Sequence, residues 1–162
     1  MSSPRLYGKE IAEKMIDIFK AQLLTPLTLK LIQIGGLEFF PAQSIGDNVP
    51  AIFIKPYPTT DLERISTAET YKIVYNFKIV YAFPFVDLQE AILTKMVNTQ
   101  KIGEVLIDST NLGGLVLPNA KIVTSRLKAL DWEPPEDNLV AILNQNVTAS
   151  ALIFSVETTA RK

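Results

Sequence analysis

Glu69-Thr70-Tyr71-Lys72-Ile73-Val74-Tyr75-Asn76-Phe77-Lys78-Ile79-Val80-Tyr81-Ala82-Phe83 decides how the rest of the chain must be arranged. Apolar or aromatic side chains hold every odd position from Tyr71 to Phe83. Lys72, Val74, Asn76, Lys78, Val80 and Ala82 stand between them. A period of two over this length predicts a β-strand with one buried face. It outruns the usual strand of about five or six residues, so something must cover the surplus. Pro84 closes it.

Downstream, Asp87 and Glu90 form an Asp-x-x-Glu start signal for a helix, close to a capping box. Leu88, Ile92, Met96 and Val97 supply its apolar face, which Ile102 and Leu106 extend. The helix is expected to end near Asp108-Ser109-Thr110-Asn111, before a turn at Leu112-Gly113-Gly114. Val116 and, better, Ile122 to Leu130 read as strand. Trp132-Glu133-Pro134-Pro135-Glu136-Asp137 reads as a rigid polar loop. Leu139 to Leu143 and Val147 to Glu157 read as strand material, and Thr158 to Lys162 are expected to fray.

Upstream, Arg5 to Leu23 predicts an amphipathic helix. Ile11, Met15, Ile18 and Phe19 recur at helical spacing, with Ala12 and Ile16 widening the stripe. Pro26 ends it. Leu27 to Ile34 is a strand candidate stopped by Gly35-Gly36, and Pro50 to Lys55 is a short buried one. The intervening Leu37 to Val49 is rich in turn formers yet carries Leu37, Phe39, Phe40 and Ile45. A polar loop follows Pro56-Tyr57-Pro58 and holds Asp61, Glu63 and Arg64. Strands succeed one another without a helical crossover in the middle and at the end. The expected class is therefore α+β: a mostly antiparallel sheet with two main helices packed on one face, in a single domain over residues 1–162.

Composition narrows the chemistry. Among 162 residues, 48% are hydrophobic and 20% charged, with a net charge of −1, so an ordinary folded core is expected rather than a surface built to wrap nucleic acid. Cysteine and histidine are both absent. Disulfides and thiolate chemistry are excluded, and the commonest general base and transition-metal ligand are missing. Charges punctuate every apolar stretch near the N-terminus, against a signal peptide, and no uncharged apolar stretch is long enough to cross a bilayer. A soluble protein made and used in a cytoplasm is expected.

The chemical candidates are thin. Asp87 with Glu90 reads as a helix cap. Asp61 with Glu63, and Glu136 with Asp137, read as solvated loop charges. Neither Gly35-Gly36 nor Gly113-Gly114 continues into a phosphate-binding motif. No serine stands in a nucleophile motif. No catalytic, cofactor-binding or metal-ligating residue is expected. Lys72, Asn76 and Lys78 share a strand face, and Lys121, Arg126 and Lys128 cluster later. A solvated sheet face accounts for them, and the lumen of a ring that DNA passes is the functional alternative. Phe39 and Phe40, in a turn-rich loop, either fold back on the core or project as anchors for a neighbour.

These features together resemble the tail terminator (tail completion, or tail-to-head joining) family of long-tailed bacteriophages. The resemblance rests on the amphipathic N-terminal helix, the Val49-Pro50-Ala51-Ile52-Phe53-Ile54 strand, and the strand from Tyr71 to Val80. It continues in the second helix running into Asn111-Leu112-Gly113-Gly114, and in an Ala/Val-rich strand near the C-terminus. It spans nearly the whole chain with loose motifs. It implies a structural subunit, without catalysis or cofactor, that forms a hexameric ring, caps the tail tube and joins it to the head connector. The implied partners are copies of the chain, tail tube and sheath subunits, and neck proteins, with DNA only passing through the lumen and no membrane. The implied place is the virion, after assembly in the host cytoplasm. From residue character, Phe39, Phe40, Asp61, Glu63, Arg64, Lys72, Asn76 and Lys78 are the expected subunit and tail contacts. The alternatives are another neck or head-completion adaptor, a small carboxylate-dependent enzyme, and a monomeric module that binds peptides along an open strand edge.

Overall fold

The computed structural model describes residues 6–57, 61–64, 69–109, 111–142 and 146–161. The alternating segment forms β4, Thr70–Pro84. Before it come β1 (Leu31–Ile34), β2 (Ala51–Pro56) and β3 (Asp61–Arg64), and after it β5 (Ala120–Asp131) and β6 (Val147–Arg161). β4 pairs antiparallel with β6 along its whole length, from Thr70 opposite Arg161 to Pro84 opposite Val147. Its other edge is shared. β2 covers Phe77 to Ala82 and β3 covers Tyr71 to Val74, which is how the surplus length is used. The six-stranded sheet runs β1-β2-β4-β6-β5, with β3 beside β4. The β1–β2 pair is parallel and the others are antiparallel.

The pleat sorts the core into two. Ile73, Tyr75, Phe77, Ile79, Tyr81 and Phe83 join the larger cluster beneath helices α1 (Gly8–Gln22) and α2 (Leu88–Asp108). The two long helices therefore lie on one face, as expected. α1 buries Ile11, Ala12, Met15, Ile18 and Phe19, the stripe its spacing predicts. On the opposite face Val80 and Ala82 meet Ala51, Phe53, Ala149 and Ala151 under Leu37, Ile45 and Val49. The cover there comes from two 3-10 stretches, Leu37–Phe39 and Ala42–Asn48, and a short helix at Pro135–Ile142. This second layer explains why Val80 and Ala82, rather than charges, follow Lys78 along β4.

Several boundaries differ from the sequence reading. β1 is only Leu31–Ile34; Leu27 and Leu29 are buried in the turns before it. Within Trp132 to Leu143, read as polar loop and then strand, Pro135–Ile142 is instead a helix, and Leu143 lies outside the described residues. Pro135 sits at its first position, where the missing N–H costs nothing and the fixed φ suits a helix. Asn138 docks this helix on β6. Its Oδ1 accepts from Ala149 N at 3.0 Å and its Nδ2 donates to Ala149 O at 3.0 Å. β5 ends opposite Ala151, so the side-chain amide continues the ladder where the backbone has left it. Where fraying was expected, β6 runs on to Arg161, and Thr158 Oγ1 donates to Ile73 O at 3.1 Å; Lys162 lies outside the described residues.

Asp87 caps α2, accepting from Gln89 N at 2.8 Å. Asp87→Ala is expected to lower stability by about 1 kcal/mol, read as the shift of a urea unfolding midpoint.

Candidate interaction surfaces

The first half of α2 faces the opposite way to its apolar pattern. Ala91, Lys95 and Thr99 are buried there, while Ile102, Gly103 and Leu106 are buried further on. Leu88, Ile92, Leu93, Met96 and Val97 lie outward, with exposures of 70%, 58%, 59%, 44% and 51%. Leu88, Ile92, Met96 and Val97, expected from their spacing to face the core, instead face outward. The reason lies in what the helix rests on. Thr99 Oγ1 is 2.7 Å from the buried Ser150 Oγ, and Asn98 Nδ2 donates to Tyr81 Oη at 3.0 Å. A Cβ on Gly103 would lie 3.3 Å from Leu127. Polar and small residues let the helix approach the sheet, and its large apolar residues are left outside. Val86, just before the helix, is also fully exposed, and large apolar side chains left outward along one helix face are of the kind that marks a protein contact.

Lys95 lies beneath these side chains. Its side chain is 7% exposed, and the nearest carboxylate, Glu133 Oε1, is 3.8 Å away and itself mostly exposed. Among the described residues Lys95 Nζ has no hydrogen-bond acceptor. Burial pulls its pKa down, against the opposing pull of Glu133 and Asp131. An open hollow of about 350 Å³ adjoins it, lined by Ile92, Lys95, Met96, Trp132 and Glu133.

The expected contact residues are scattered. Phe39 projects, 68% exposed, while Phe40 turns back so that its ring lies 5.9 Å from Phe53 on the second core. Gly35 permits this: it has φ 132°, and a side chain there would strike the Phe39 ring. Phe39→Ser is expected to leave thermal stability within a degree or two. Phe40→Ser is expected to cost about 2 kcal/mol, because it alone empties a packed site; thermal melts of the two variants separate them. Asn76 is buried and accepts from the Ser155 hydroxyl, which takes its side chain out of the exposed surface. Lys72 pairs with Glu157 at 3.5 Å across β4 and β6. Glu63 is exposed on β3, opposite Lys72. Asp61 and Arg64 belong to the same strand, and their side chains lie outside the described residues.

Lys78 belongs to an ion cluster on the second face. Asp137, 1% exposed, receives Lys55 Nζ at 2.9 Å on Oδ1, with Lys78 Nζ 2.7 Å from Oδ2 outside hydrogen-bond geometry. Lys55 also reaches Glu38 at 3.1 Å. Asp137, read from sequence as solvated, is thus the buried centre that ties the Pro135–Ile142 helix to β2 and β4. Burial depresses the Lys55 pKa, but hydrogen bonds and charge from Asp137 and Glu38 outweigh it, leaving the value raised. Among the described residues no three acidic side chains converge, and no helix is long and apolar enough to cross a membrane.

No protein-family profile matches the chain, and no curated protein does. A chain from a solved structure described as the virion of a native gene transfer agent particle has a similar fold, with a TM-score of 0.54 at 12% identity. The likeness covers 92% of this chain and 94% of that one. It extends to the whole arrangement of sheet and helices rather than to one motif.

Proposed function

We propose that this chain is a structural subunit of a phage-like virion that closes into a six-membered ring, caps the tail tube and joins it to the head connector. The observation that carries the reading is the outward apolar stripe of α2, on a fold similar to that of a chain in a gene transfer agent virion. Five large apolar side chains held out by a helix that packs through Ala91, Lys95 and Thr99 leave a surface whose burial against protein is favourable. Work of this kind is binding: copies of the chain meet, and the finished ring presents one face to the tube and another to the connector. Contacts of one patch with a different patch close into a ring when the rotation suits. The reading needs no catalytic group, and DNA meets the protein only in passing through the lumen.

The test is electron microscopy with native mass measurement on the purified chain, alone and with polymerised tail tubes. Closed rings of six copies, or rings formed on tube ends, are expected. A monomer in both conditions would contradict the reading.

A further inference from the structure

Two apolar features lie on opposite faces of the sheet. The hollow beside Lys95 belongs to the α2 face. Phe39 belongs to the other: its neighbours Leu37 and Phe40 pack with Val80, Ala82 and Ala149. Two patches that look in opposite directions cannot both be satisfied by a single partner copy, so a contact between them propagates from copy to copy.

Their chemistry matches. Phe39 is the one exposed phenylalanine among the described residues. The hollow is lined by the apolar Ile92, Met96 and Trp132 together with Lys95 and Glu133. A largely buried amine whose nearest carboxylate, the exposed Glu133, stands 3.8 Å away has room for a closer partner, so the site favours an occupant bearing a carboxylate next to an apolar group. Glu38 directly precedes Phe39, and its side chain is 47% exposed. It is shared with Lys55, which keeps Asp137 at 2.9 Å if Glu38 turns away.

We propose that the occupant of the α2 hollow is the Leu37–Phe39 turn of a second copy, with Phe39 seated against Ile92, Met96 and Trp132 and Glu38 paired to Lys95. The contact is head-to-tail and rests on the ring reading above. It gives the buried lysine a function: in the free subunit it destabilises the hollow, and in the assembly it selects the acidic turn over other apolar surfaces.

The absence of cysteine makes the test clean. A Phe39→Cys, Ile92→Cys double variant, oxidised mildly and run without reductant, is expected to give a ladder in steps of one 18.0 kDa chain up to the closed ring. Each single variant is expected to give no ladder. Both positions are exposed, so neither change disturbs the core. In parallel, Lys95→Met is expected to hold or raise the melting temperature of the subunit while weakening assembly at least tenfold. Glu38→Gln is expected to weaken assembly similarly, and the two together no more than either alone. Wild-type rings with no ladder, or with full assembly of Lys95→Met, overturn this contact and leave the ring reading standing. A wild-type chain that stays monomeric even with tubes present overturns both.

Discussion

Changing Ile92 and Met96 together to glutamate is expected to yield a folded monomer that no longer assembles. Both side chains point outward, so the subunit loses no core contact. Glutamate is a good helix former, and α2 keeps its Asp87 cap. Its circular dichroism and unfolding midpoint are expected to match the parent. Assembly is expected to weaken at least 100-fold, about 3 kcal/mol per contact, as when anchors at the centre of an interface are replaced by charge. Native mass measurement over a concentration series reads it. If Ile92 and Met96 lay against the core, the same variant would unfold, and a circular dichroism melt would show that directly.

The second large effect is on stability. Lys55→Met is expected to destabilise the subunit by about 3 kcal/mol, because Asp137 stays buried and keeps only Lys78. A urea titration measures it. Replacing all three members, Lys55→Met with Lys78→Met and Asp137→Leu, is expected to recover most of the loss, since well-packed apolar groups often match a buried ion cluster. The pH dependence follows from the raised pKa of Lys55. A base held more tightly in the folded state contributes its full stability below the unfolded value of 10.5, and that contribution fades as pH rises through the higher folded value. The effect of Lys55→Met is therefore expected to be constant through neutral pH and to shrink only in strong alkali. Because Lys55 also holds Glu38, the variant loosens the turn that carries Phe39.

The parts legible in the sequence were those set by local pattern. β4 and α1 follow directly from the spacing of Tyr71 to Phe83 and of Ile11 to Phe19, and Asp87 announced the start of α2. The outward turn of α2 was not legible. Periodicity shows that Leu88, Ile92 and Met96 share a face but not what covers that face, and the deciding contacts, Thr99 to Ser150 and Gly103 to Leu127, are distant in sequence. Trp132 to Asp137 misled because consecutive prolines read as a breaker, whereas Pro135 begins a helix. Asp137 read as a solvated charge and Lys95 carried no signal, because burial of a single ion depends on elements that meet only after folding. Of the expected contacts, Phe39 projects, while Phe40 and Asn76 turn inward to partners on β2 and β6 that no local pattern shows.

The most direct measurement is an electron-microscopic reconstruction of the intact particle that carries this chain. The account requires a single ring of six copies between tail tube and connector, with the Ile92–Met96 face of every copy covered by its neighbour. Copies stacked along the tube, or copies placed away from the junction of tube and connector, would contradict it.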